Sequence, residues 1–146
     1  MENFSDFYAN DANCVNRLYT EWLEHKSLIV AFDYDNTVND YSNNGNRNED
    51  VISVLRECKK LGFHLILFTS CNQDRLTSIE EDLKQRNIPY DFVNETPDFI
   101  PFKGRKVYYN ILLDDRAGLS SALDTLWKVI YSIRGYNATK NLQEIG

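Results

Sequence analysis

The stretch from Leu28 to Asp40, LIVAFDYDNTVND, passes from apolar residues directly into carboxylates, with Asp33 and Asp35 two positions apart. Burying a carboxylate beside a strand is costly unless something compensates it. Two later apolar runs end in a similar way. FHLILFT ends at Thr69 and is followed by Ser70, and VYYNILL ends before Asp114 and Asp115. Carboxylates gathered from such ends form an oxygen-rich site of the kind hard Mg²⁺ prefers, with several waters retained. The ion would offset repulsion among the aspartates and neutralise part of a phosphate's charge. One aspartate can then attack phosphorus as a carboxylate nucleophile. Its neighbour can protonate the leaving oxygen and then activate water. A hydroxyl at Thr69 or Ser70 can hold a phosphate oxygen, and a lysine can balance the charge.

The elements around these residues alternate. Helical spacing of apolar positions predicts helices over 12–26, 49–61, 74–86 and 117–134, with Gly62 closing the second. Short continuous apolar runs predict buried strands at 28–32, 63–69 and 107–113, with a brief one at 91–94. This pattern implies an α/β three-layer sandwich with a mainly parallel central sheet. In such sheets ligands bind beyond the carboxyl ends of the strands. The three polar strand ends therefore meet at one edge. Asp114 and Asp115 also suit the start of the last helix, where negative charge is favourable.

The chain has 146 residues, the size of one domain, with a core over 28–134 and a short C-terminal tail expected beyond it. Hydrophobic residues make up 42% and charged residues 26%, so the composition is globular, not disordered. The net charge is −6, which does not favour binding along nucleic-acid backbones. Cys14, Cys58 and Cys71 are odd in number and widely spaced, which fits reduced thiols in a cytoplasmic protein. The acidic N-terminus has no signal-peptide pattern, and no run is long enough to span a membrane.

Asp33-Tyr34-Asp35-Asn36-Thr37 after an apolar strand resembles the first motif, DxDxT, of the haloacid dehalogenase (HAD) superfamily. Leu67-Phe68-Thr69-Ser70 resembles its second motif. Leu112-Leu113-Asp114-Asp115-Arg116 resembles its fourth, an apolar strand ending in paired aspartates. The likeness spans roughly residues 28 to 130. The resemblance implies a Rossmann-like, HAD-like fold. It makes Asp33 the phosphorylated nucleophile and Asp35 the general acid and base, whose backbone carbonyl also joins the metal site. It makes Thr69 a ligand of the phosphoryl group, with Ser70 nearby. It makes Asp114 an acidic metal ligand, so the implied Mg²⁺ set is Asp33, Asp35 and Asp114, with Asp115 nearby or binding through water. The third motif supplies a lysine. Lys106 is preferred, because small members of the superfamily place theirs a similar short distance before the aspartate pair, and Lys103 is the other candidate. Asn36 stands where DxDGT is the commoner form. More loosely, the DYDNT and LLDDRAGL motifs resemble those of small bacteriophage-encoded proteins.

About a dozen residues separate Thr37 from the helix at Glu49, too few for a cap domain. The resemblance therefore implies an open site, as in capless members, which act on large phosphorylated molecules or use a partner subunit as a lid. The expected activity is Mg²⁺-dependent hydrolysis of a phosphomonoester through an aspartyl phosphate. The alternatives are a nucleotide or nucleic-acid 3′-end phosphatase, and a non-catalytic metal- or phosphate-binding module. The expected partner is a phosphorylated substrate. A homo-oligomer remains open, and no membrane partner is expected.

Overall fold

A computed structural model describes residues 4–145. Four strands form one sheet: β1 (Ile29–Phe32), β2 (His64–Leu67), β3 (Phe92–Val93) and β4 (Ile111–Leu113). They lie in the order β3-β2-β1-β4, and every pairing is parallel. Val30 pairs with Leu65 on one side and Ile111 on the other, and Phe32 with Leu67 and Leu113. The helices are α1 (Asp11–His25), α2 (Glu49–Lys60), α3 (Gln73–Gln85) and α4 (Leu119–Ile145). The architecture is thus α/β, a Rossmann-like sandwich around an all-parallel sheet.

The two sheet faces are covered differently. Val30, Phe32, Leu65, Leu67 and Leu113 join Leu18 and Trp22 of α1, Leu55 of α2, Leu83 of α3 and Ile130 of α4 in the main core. Each large side chain buried there contributes on the order of 2 kcal/mol. The opposite face, Ile29, Ala31 and Ile66, is covered by Ile100, Val107, Tyr108 and Tyr109 of the connection between β3 and β4. The third layer is therefore a helix-free crossover over residues 94–110.

That crossover accounts for one departure from the sequence reading. A strand is expected from Val107, yet β4 begins only at Ile111. The Tyr108 N–H donates to Thr96 Oγ1 within the crossover (3.1 Å), and ladder pairing starts with the Asn110 N–H donating to the Ile29 carbonyl (2.8 Å). A second departure is the C-terminal segment. The expected tail is helix, and α4 runs for 27 residues. Tyr136 anchors the extension, its ring edge-on to Trp22 at 5.2 Å and beneath the Lys26 ammonium at 4.5 Å. Among the described residues, no helix is long and apolar enough to cross a membrane.

Candidate active site

The chain steps from β1 to β2 to β3 in one direction, then returns to place β4 on the other side of β1. The loops after β1 and β4 are therefore neighbours at the carboxyl edge, where ligands bind in open parallel sheets. The Asp33 N–H donates to the Leu113 carbonyl (2.9 Å), which ties the two strand ends together. Asp33 and Asp114 thus leave neighbouring strands at one level.

A tight turn follows Asp33. The Tyr34 carbonyl accepts from the N–H groups of Val38 and Asn39, both at 3.0 Å. Asn36 has φ 59°, the left-handed region that glycine and asparagine tolerate best. An asparagine suits this position for that reason. Its amide also braces the loop, accepting from the Ser42 N–H and donating to Ser42 Oγ, both at 3.0 Å. Asp40 shapes the same loop by accepting from the N–H groups of Asn44, Gly45 and Asn46. Tyr34 points away from the site. Its hydroxyl donates to Asp82 (2.5 Å), and burial with that partner pushes the phenol up from its ordinary value.

A hollow of about 650 Å³ lies over this edge. Asp33 and Asp35 from the first loop, Thr69 and Ser70 from the second, and Asp114 and Asp115 from the last line it together. Carboxylate oxygens of Asp33, Asp114 and Asp115 lie within 4.8 Å of one another. Burial first, and then the charge of Asp114, push the Asp33 carboxyl up to about 7. A group so placed is relieved by any cation among the three aspartates, and their all-oxygen donor set suits a hard one.

Thr69 is held by Asn94, which follows β3 with φ 51°. The Asn94 amide accepts from the Thr69 N–H and donates to the Thr69 carbonyl, both at 2.8 Å. Asn94 also lines the hollow. The sequence reading does not single it out, since asparagine at a strand end reads as an ordinary turn residue.

Among the residues expected at the site, only the two lysines lie away from the hollow. Asp115, expected nearby or bound through water, contributes its carboxylate to the cluster, and the carboxylate of Asp35, expected as the acid and base, lies outside it. Asp35 Oδ1 instead accepts from Arg75 Nη2 of α3 (2.6 Å), and that hydrogen bond raises the guanidinium's pKa further. Neither Lys106 nor Lys103 lines the hollow. Both are exposed in the crossover, between Phe102 and Tyr108, which border a different hollow with His64 and Ile29 at the amino edge of the sheet. The reason is directional: residues just before a parallel strand sit at its amino end, across the sheet from the site. The cations lining the hollow are Arg75 and Arg116.

Fold and site together define an α/β protein with a polar crevice at a topological switch point. No family model and no curated protein matches the chain. Among solved structures it is similar to a conserved protein coded by a locus from Bacteroides thetaiotaomicron, with 21% identity and a TM-score of 0.53. The match covers 63% of this chain and 78% of that one. At this identity the similarity concerns the fold.

Proposed function

We propose that the protein is a Mg²⁺-dependent phosphomonoester hydrolase working through a phosphorylated Asp33. The observation that carries this is the convergence of Asp33, Asp35, Thr69, Asp114 and Asp115, from three loops, on one crevice. Asp33, Asp114 and Asp115 would hold the ion, which when bound neutralises phosphate charge and draws off repulsion among the carboxylates. Asp33 Oδ attacks phosphorus as the bond to the leaving oxygen breaks. Asp35 gives that oxygen a proton, then takes one from the water that attacks phosphorus and releases phosphate, restoring Asp33. Thr69, positioned by Asn94, donates to a phosphoryl oxygen.

The test is hydrolysis of p-nitrophenyl phosphate with Mg²⁺. Activity should vanish with chelator and fall at least about a thousandfold in Asp33→Asn, as for loss of other covalent nucleophiles. Full activity in Asp33→Asn would overturn the assignment.

A second reading, a nucleotide or nucleic-acid 3′-end phosphatase, is favoured by the aromatics at the crevice. Tyr41, 66% exposed, and the half-buried Phe68 both line it, so Tyr41 offers the open face. Exposed aromatic faces suit stacking against bases. A panel of mononucleotides, 3′-phosphorylated oligonucleotides and sugar phosphates separates the two readings. Preference for sugar phosphates would remove the second.

A further inference from the structure

Phosphoryl transfer needs a cation on the transferring group, and the lysines expected from sequence do not line the crevice. Four carboxylates do, against the guanidinium groups of Arg75 and Arg116. Arg75 is the one held in place. The Asn72 side chain caps α3 by accepting the Arg75 N–H (2.9 Å), which fixes the backbone there. The guanidinium is then engaged by Asp35 and lies over the Tyr41 ring, 5.4 Å from its centre. The side chain remains 39% exposed, so a ligand entering the crevice can reach it.

We propose that Arg75 is the phosphate-binding cation of this site, passing from Asp35 to the substrate's phosphoryl oxygens as substrate enters. This rests on the phosphatase reading above. A guanidinium presents its N–H groups as a planar fork, which matches two phosphate oxygens as well as a carboxylate. The exchange therefore keeps a charge-assisted bond on Arg75 throughout. It also frees the Asp35 carboxyl to face the leaving oxygen. Tyr41 limits how far the guanidinium swings, because the ring face attracts the cation in either position.

Calorimetric titration of the full chain with inorganic phosphate, in saturating Mg²⁺, tests this without requiring turnover. Phosphate affinity should fall about ten- to a hundredfold in Arg75→Ala, the range expected for hydrogen bonds to a charged group. Arg75→Lys keeps the charge but loses the fork. It should bind phosphate more weakly than wild type, and it carries the test should the alanine variant not fold. Magnesium affinity measured alone should be the same in all three. The double variant Lys103→Ala/Lys106→Ala should match wild type. Millimolar guanidinium should partly restore p-nitrophenyl phosphate hydrolysis in Arg75→Ala, which a merely structural role would not allow. Wild-type phosphate affinity in both Arg75 variants, with loss in the double lysine variant, overturns the assignment and leaves the phosphatase reading standing. A wild-type chain that binds neither magnesium nor phosphate overturns both.

Discussion

The Asp115 backbone N–H donates to Thr37 Oγ1 at 3.2 Å, joining residues 78 positions apart. Thr37 is buried, so its hydroxyl serves the protein and not the substrate. It fixes the loop after β4 against the loop after β1, and so sets the spacing of Asp114 and Asp115 from Asp33. Thr37→Val keeps the shape but strands that N–H. The expected loss is about 1 kcal/mol of stability, or roughly 2–4 °C in melting temperature. Magnesium affinity should weaken as well. Thr37→Ser, which retains the hydroxyl, should recover most of both, and equal loss in the two variants would count against the hydrogen bond as the cause.

The raised Asp33 carboxyl makes metal-free stability depend on pH. In the unfolded chain this group titrates near 4, and in the folded chain at about 7. Between those values the folded state binds more protons, so stability falls as pH rises and the penalty is complete above about 7. Asp33→Asn removes the penalty. Melting curves in chelator should show the variant several degrees more stable than wild type at pH 8, with the two converging below pH 4. A wild type that gains stability from pH 5 to 8 relative to the variant would contradict the burial of Asp33.

Magnesium should reverse that penalty, since a cation among three carboxylates binds the folded chain alone. At a hundredfold excess over its dissociation constant a ligand adds about 2.7 kcal/mol, roughly 5–10 °C here. The shift should be larger at pH 8 than at pH 5, because Asp33 must lose its proton to join the site. Asp114→Asn should abolish most of the shift. If Asp114→Asn keeps the full shift, the ion binds elsewhere.

Tyr34 offers a control within the motif itself. Tyr34→Phe removes the hydroxyl that donates to Asp82 but leaves Asp82 paired with Arg86 at 2.9 Å. The expected cost is about 1 kcal/mol of stability, with kcat and KM unchanged. A tenfold loss in kcat would give Tyr34 a role in the chemistry that its orientation denies.

The apolar runs at Leu28 and Phe63 are legible because a parallel strand is covered on both faces and so lacks alternation. Their polar ends are legible for the same reason, since a carboxylate there interrupts an otherwise continuous pattern. Arg75 is not legible. It lies among Gln73, Asp74 and Thr77 at the start of α3, where charge reads as a solvated first turn, and only tertiary packing aims it at Asp35. Lys106 illustrates the reverse case. The resemblance to small superfamily members makes it attractive at that distance from Asp114, yet the strand between them carries the two to opposite edges of the sheet. Direction along a parallel strand, available from the sequence pattern, argues against it. Val107 reads as strand because its neighbours are aromatic and β-branched, but those side chains cover the second face instead.

The outermost strands carry a consequence for behaviour at high concentration. β3 and β4 are the two edges of the sheet, and they are two and three residues long. Each leaves little unpaired ladder for another chain to extend. β3 is followed at once by Asn94 in a left-handed turn, which bends the backbone away from any incoming strand. Edge-to-edge polymerisation therefore has almost no template in the folded state. Fibrils, where they form at all, would have to begin with unfolding that exposes the central strands β1 and β2, four residues each.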